Sequence, residues 1–156
     1  MIIHQSSIFN ARPEQVWREI QSTRLLHYVS SPLLTFTPVD GKSLPEVWQQ
    51  GKYAGKMKLF GILPLGEQFI DIAQPSQEEC NGHRYAMLDN GYGQLISKWR
   101  HFITIDDEGE GTTKYTDLVE VQVGLFTFMV WVFASIFFWH RQRRWKKLIQ
   151  NGFNYQ

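Results

Sequence analysis

His101 and Asp117 are the two residues of this chain whose types and spacing suggest chemistry. They belong to strand-like segments, Gln94 to Ile105 and Thr113 to Val123, separated by the turn signal Glu108-Gly-Glu-Gly111. A hairpin closed about Glu108 and Gly109 predicts His101 opposite Asp117 and Trp99 opposite Val119. All four share strand parity with Ile103, Tyr115 and Val121, and so one face of a sheet. A carboxylate beside an imidazole fixes its tautomer and raises its pKa, the arrangement a general base needs. The same pair also reads as a cross-strand polar contact satisfying itself at a cavity edge. No nucleophile or second acid is evident beside the pair, so a binding role comes first and a catalytic one second.

Other chemistries find less support. His4, His27, His83, His101 and His140 are scattered without i, i+4 pairing, and the one cysteine, Cys80, has no ligand close in sequence, so no metal is expected. Gly91-Tyr-Gly93 and Gly109-Glu-Gly111 are too short to cradle phosphate and open strands rather than helices. No Gly-x-Ser-x-Gly nucleophile elbow occurs, and no cofactor is expected. Tyr53, Tyr85 and Tyr115 are tyrosines whose hydroxyls could reach a cavity.

The element that must position these residues is the last thirty. Leu125 to Trp139 reads LFTFMVWVFASIFFW, polar only at Thr127 and Ser135, and turns basic from His140 to Lys147. With Gly124 and Gly152 bracketing the run and no Pro inside it, one long helix is predicted from about Leu125 to Ile149. At 100° per residue, Thr127, Val130, Trp131, Ala134, Phe138, Trp145, Leu148 and Ile149 share one side, with Arg141 and Gln142 at its border. The opposite side is also apolar at first (Phe126, Met129, Val132, Phe133, Ile136, Trp139) and then carries Arg143, Arg144, Lys146 and Lys147. Apolar residues all round imply cover on both sides: a sheet on one, and loops or a second copy of the chain on the other. The run is shorter than the roughly 20 apolar residues that cross a bilayer, so contact with a membrane surface is weighed ahead of spanning.

At 156 residues, 43% hydrophobic and 20% charged, the composition is that of one soluble globular domain. Aromatic residues are abundant at 15%, which suits a filled core, a ligand cavity or an apolar interface. A net charge of +1 gives no case for nucleic acid. One cysteine excludes an internal disulfide and MIIHQSSIF has no signal-peptide character, so a cytoplasmic protein is expected.

In order, Ile2 to Phe9 reads as a strand, Pro13 to Gln21 and Arg24 to Tyr28 as short helices. Leu33 to Pro38 and Val47 to Leu59 read as strands about an Asp40-Gly41 turn. Phe60-Gly-Ile-Leu-Pro-Leu-Gly66 is an apolar loop that must fold inward or touch something. Glu67 to Ala73 and Arg84 to Leu88 follow as strands, the latter ending at a turn, Asp89-Asn90-Gly91. Strands grouped together and one helix segregated to a face predict an α+β domain of the helix-grip kind. In it a curved antiparallel sheet of about six or seven strands wraps one long C-terminal helix, with two short helices after strand 1.

That order resembles the superfamily of START-related proteins (birch-pollen-allergen-like and polyketide cyclase/dehydrase-like, often called SRPBCC). Local phrases are similar too: Asn10-Ala-Arg-Pro-Glu-Gln-Val-Trp17, the turn around Gly61 to Pro64, Trp99-x-His101-x-x-Ile, Gly111-Thr-Thr with Asp117, and the closing aromatic helix with Arg141. The resemblance covers nearly the whole chain and implies a cavity for a hydrophobic, lipid-like or polycyclic molecule between sheet and helix. Trp99, His101, Tyr115, Asp117, Val119, Trp131 and Phe138 are the residues expected to line it. Three functions follow as expectations: such a carrier or sensor, a cyclase- or hydratase-like enzyme using His101 and Asp117, and an interaction module. The module would form a homodimer or a peripheral membrane contact through Phe126, Met129, Val132, Phe133, Ile136 and Trp139.

Overall fold

The computed structural model describes residues 1–39, 43–94 and 96–156. Its elements are β1 (Ile2–Phe9), α1 (Pro13–Ile20), α2 (Thr23–Ser30), β2 (Leu34–Pro38), β3 (Gly51–Leu59) and β4 (Leu63–Ala73). A short α3 (Gln77–Cys80) precedes β5 (Tyr85–Gly93), β6 (Lys98–Gly109), β7 (Thr112–Gln122) and a long α4 (Thr127–Gln150). The seven strands form one antiparallel sheet in the order β1-β7-β6-β5-β4-β3-β2. This is the helix-grip α+β fold, with two short helices after the first strand and a single long helix at the end.

Local chemistry explains the boundaries. Pro13 opens α1, where its missing N–H costs nothing, and Ser22 caps α2 by accepting from the Arg24 N–H. β2 and β3 pair from Leu34 with Leu59 to Pro38 with Gly55. The Asp40-Gly41 turn expected between them lies outside the described residues. Val47 belongs to no strand; it makes only an isolated bridge to Ser22, and β3 begins at Gly51. The β3–β4 connection is tighter than expected. Phe60 (φ 51) and Gly61 (φ 71) form a two-residue turn closed by Ile62 N–H donating to Leu59 O, and Leu63 already pairs with Leu59. Left-handed backbone suits Gly61 but costs a side chain such as Phe60 about 1–2 kcal/mol.

Two expectations are corrected in the sheet. Asp89-Asn90-Gly91 is no turn, because β5 runs straight through it. Asp89 Oδ1 accepts the Asp71 N–H of β4 at 2.8 Å, so its polar side chain feeds the ladder. A side chain on Gly91 would stand 2.9 Å from the Phe69 carbonyl, so glycine there permits close strand approach. The β6–β7 register is also displaced by two from the prediction: His101 faces Val119, Trp99 faces Val121 and Ile103 faces Asp117. The chain turns at Glu110 and Gly111, with Gly109 paired to Thr112, rather than at Glu108 and Gly109, and a bulge between Asp107 and Gly109 takes back one residue of the difference.

α4 starts after a single 3-10 turn at Gly124–Phe126, with Thr127 Oγ1 donating to Gly124 O and accepting the Val123 N–H. Its buried residues are Ala134, Phe137, Phe138, Arg141, Gln142, Trp145 and Leu148. Trp145 and Leu148 close one core with α1, α2, Phe9 and Ile105; Ala134, Phe137 and Phe138 close a second with Ile3, Val119 and Val121. Among the described residues, none covers the opposite side. Phe126, Met129, Val132, Ile136 and Trp139 are exposed, as are Leu125 and Phe128, whereas Phe133 turns inward.

Candidate functional site

α4 packs on the β1–β7 side of the sheet and against α2, and the strands beyond curl away from its N-terminal half. The space left between them is a cavity of about 400 Å³. Its wall is mainly apolar: Phe36 and Met57 from β2 and β3, Leu65 and Phe69 from β4, and Phe133 and Phe137 from α4. Its polar lining includes Ser30, Gln68, Asp89, His101 and Arg141, of which Asp89 lies directly across from His101 and within reach of the Arg141 charge.

Of the residues expected to line a cavity, Trp99, His101 and Phe138 do so. Trp99 stacks on Phe138 at 5.9 Å and the His101 ring meets Phe138 edge-on at 4.9 Å. Tyr115, Asp117 and Val119 are fully buried and stand off the wall. Trp131 is off it too, its Nε1–H donating to Ile2 O at 2.8 Å. Tyr53 bonds to the Gln49 backbone and Tyr85 stacks on Trp17, so neither hydroxyl enters the cavity.

Although not directly opposite, His101 and Asp117 meet diagonally, with His101 Nε2 2.8 Å from Asp117 Oδ1. The two-residue slip leaves both on one face, where diagonal neighbours remain within reach of long side chains. Asp117 also accepts from Tyr115 OH at 2.6 Å and from Gln142 Nε2 at 3.0 Å, and Arg141 Nε lies 3.9 Å away. Burial alone would raise the Asp117 carboxyl. The Arg141 charge and the hydrogen bonds from His101 and Tyr115 outweigh it and hold the group below its ordinary value. Asp117 is therefore a carboxylate, and it takes the Nε2–H of His101. Burial depresses His101 below its usual value despite that carboxylate, so the ring is neutral at pH 7 with Nδ1 as its lone-pair nitrogen.

Asp89 is directly across from His101 in the β5–β6 register. Its carboxyl is pushed up to about 7, first by burial and then by Asp71, against the Asp71 N–H and the Arg141 charge. Here sequence reasoning missed a residue, because Asp-Asn-Gly reads as a turn. It missed Gln68 as well. Arg141 was visible as a cation at the border of an apolar helix face. Gln68 Nε2 and Arg141 Nε are buried without hydrogen-bond partners among the described residues; Arg141 Nη2 donates to Tyr115 OH at 3.3 Å, and the guanidinium lies 5.8 Å from the centre of the Phe138 ring. Among the described residues, no group of three His, Cys, Asp or Glu side chains is placed to hold a metal ion.

A family model described as a domain of unknown function, DUF8410, matches residues 7–149. The chain belongs to the DUF8410 family. No curated protein matches this DUF8410 chain in sequence. In fold it is similar to a START superfamily protein from Mycobacterium smegmatis, with TM-score 0.68 and 12% identity over 96% of this chain and 97% of that one. A protein from Chromobacterium violaceum aligns with TM-score 0.69 and 12% identity, covering 95% and 96%. A conserved protein from Geobacillus kaustophilus gives 0.64 and 16%, covering 97% and 96%. The START-like architecture anticipated from the sequence is the one found, and at these identities the likeness is one of fold.

Proposed function

We propose that this DUF8410 domain binds a small hydrophobic molecule between sheet and helix, with a hydrogen-bond acceptor at one end of it. The observation that carries this is the pair of buried, unpartnered donors, Gln68 Nε2 and Arg141 Nε, beside an apolar cavity of about 400 Å³. Buried donors normally find acceptors, and leaving one bare costs about 1–3 kcal/mol. A carbonyl, carboxyl or ether oxygen on the ligand answers them while its body covers apolar wall, at about 25 cal/mol per Å². A cytoplasmic setting suits the single Cys80.

Native mass spectrometry of protein purified without detergent tests this, alongside quenching of tryptophan fluorescence by a medium-chain fatty acid. A co-purifying mass or saturable quenching is expected, lost in Met57→Trp, which fills the cavity. A protein that is bare and gives no saturable response would refute the reading.

A catalytic reading is favoured by one observation. Asp89 and His101 face each other on the wall, the carboxyl raised to about 7 and the imidazole held below its ordinary value, so that a carboxyl able to keep its proton stands beside a neutral ring. Such a pair can take a proton at His101 Nδ1 and return one from Asp89, the work of a cyclase- or hydratase-like enzyme, with Asp117 orienting the imidazole from behind. His101→Ala would then abolish turnover and leave ligand affinity nearly unchanged; a change in affinity alone would leave binding as the function.

A further inference from the structure

Two apolar projections flank the opening of the cavity, and no described residue covers either. The first is one side of the N-terminal half of α4 and the turn before it, where Leu125 is 99% exposed, Met129 67%, Phe128 63%, Ile136 54% and Trp139 51%. The second is the β3–β4 turn, with Ile62 83% exposed and Phe60 and Leu63 each 57%. Met129 is both strongly exposed and part of the cavity wall, which puts the opening at this helix face. Leu34 and Leu59, paired beside the β3–β4 turn, belong to the same wall, which puts the turn at the opening's other side. Phe60 occupies the left-handed backbone region there without packing that would recompense it.

Charge selects the occupant. Past Trp139 the exposed stripe of α4 continues as Arg143, Lys146 and Lys147, with the Arg143 guanidinium 4.6 Å from the centre of the Trp139 ring. α4 contains no acidic residue. A second copy laid on this stripe would set those cations against apolar side chains or against its own cations. A bilayer with anionic lipids answers both halves: acyl chains for the apolar end, phosphates for the cations, and the boundary between them for the tryptophan. By length and composition Gly124–Gln150 could cross a membrane. Its mainly apolar part, Leu125 to Trp139, is only about 22 Å long against a hydrocarbon thickness of about 30 Å. Its other side is hydrogen-bonded into the sheet through Gln142 to Gln5 O and Asp117.

We propose that this face docks on an anionic lipid bilayer. The Phe60–Leu63 turn and the first turns of α4 lie in the acyl–headgroup boundary, and Arg143, Lys146 and Lys147 lie against lipid phosphates. Docking places the cavity opening against the bilayer, so that an apolar ligand passes between the two without crossing water. That last step alone rests on the ligand-binding reading; docking stands on the surface itself.

Co-sedimentation of the full chain with vesicles of phosphatidylcholine, with or without phosphatidylglycerol, tests it. Partition onto the anionic vesicles is expected, weaker by about tenfold or more on the neutral ones and weakened by salt. Ile62→Asp and Phe128→Asp, both at exposed positions, each lower partition by a similar factor with unfolding temperature unchanged. Phe60→Asn separates surface from scaffold: asparagine suits the left-handed turn, so thermal stability rises while vesicle binding falls. The combined Arg143→Gln, Lys146→Gln, Lys147→Gln variant loses the preference for anionic lipid. The proposal is overturned if the wild-type chain stays in the supernatant with both vesicles, or if the aspartate variants bind like wild type. It is also overturned if light scattering finds a dimer that Ile136→Asp splits while neither form binds vesicles.

Discussion

Replacing Asp89 by asparagine should stabilise this fold at neutral and alkaline pH and flatten its pH dependence. Asp89 is part of the cavity wall, and its carboxyl is raised to about 7, chiefly by burial, from an unfolded value of 3.8. Between those values the folded state keeps a proton that the unfolded chain has released. Stability from this group is therefore fully present below the unfolded pKa and is lost as pH rises through about 7. At 1.36 kcal/mol per unit the whole shift amounts to about 4 kcal/mol, of which about 2.7 kcal/mol disappears between about pH 5 and pH 8. The amide introduced by Asp89→Asn keeps an oxygen to accept the Asp71 N–H and never ionises. At about pH 8 the variant should thus gain a few kcal/mol, a rise of roughly 10 °C in midpoint for a domain of this size.

The assay is denaturant unfolding of both proteins across that pH range. His101 titrates in the same window with the opposite sign. Its pKa is depressed in the fold, so its contribution falls as the solution turns acid, and it cancels to first order in the difference between the two proteins. Parallel stability curves, or a gain below about 1 kcal/mol at the alkaline end, would refute the claim that Asp89 is held in a dry, apolar wall.

Asp117→Leu removes the carboxylate that gathers His101, Tyr115, Gln142 and Arg141, leaving a buried guanidinium without a counter-charge. A loss of about 3–5 kcal/mol in unfolding free energy is expected, and a loss under about 1 kcal/mol would show that Arg141 finds water instead. Gly91→Ala sets a methyl 2.9 Å from the Phe69 carbonyl in the middle of the sheet, and about 1–3 kcal/mol should be lost in the same measurement. An unchanged midpoint would mean that β4 and β5 separate freely at this point.

The parts of this fold legible in the sequence are those set by chain-local rules. Pro13 at a helix start, strand alternation, Gly109 and Gly111 at a hairpin end, and the unbroken run from Leu125 to Trp139 each announce their element. The site was less legible because it depends on register. The hairpin turns at Glu110-Gly111 rather than at Glu108-Gly109, and after the bulge between Asp107 and Gly109 the β6–β7 pairs lie two residues from the predicted ones, yet His101 still reaches Asp117 because a shift of two preserves the face. Asp89 escaped because Asp-Asn-Gly favours turns locally, a preference overridden by ladder bonds on both sides and by its own bond to Asp71. Tyr115 and Asp117 lie on the predicted face but behind His101 and Arg141. Strand parity tells which face a residue shares, not how deep it sits. The exposed side of α4 differs again: hydrophobicity all round implies cover, but the sequence does not say whether the cover belongs to this chain.

The buried polar cluster explains how a cavity persists in so aromatic an interior. Apolar packing alone would draw the N-terminal half of α4 down onto β3 to β6, since nothing about Phe133 or Phe137 opposes closing the gap. Between the two apolar cores stands a hydrogen-bonded strut instead. Gln142 donates to Gln5 O and to Asp117 and accepts from Ser7 at 2.6 Å, while Asp117 gathers His101 and Tyr115. Hydrogen bonds have fixed lengths and directions, whereas apolar contact is non-directional. The strut therefore sets the height of the helix above the sheet at Gln142, and the Trp145 core sets it again one turn later. The helix in front of these two anchors rests on β1 and β7 through Trp131, Ala134 and Phe138 and is held off β3 and β4, one side over the cavity and another in solvent. The residues that most resemble a catalytic constellation in the sequence thus also hold the cavity open. A variant that weakens them would lose ligand by collapse, which makes the pH behaviour of Asp89, beside His101 on β5 but outside the hydrogen bonds to Asp117, the cleaner probe of the space itself.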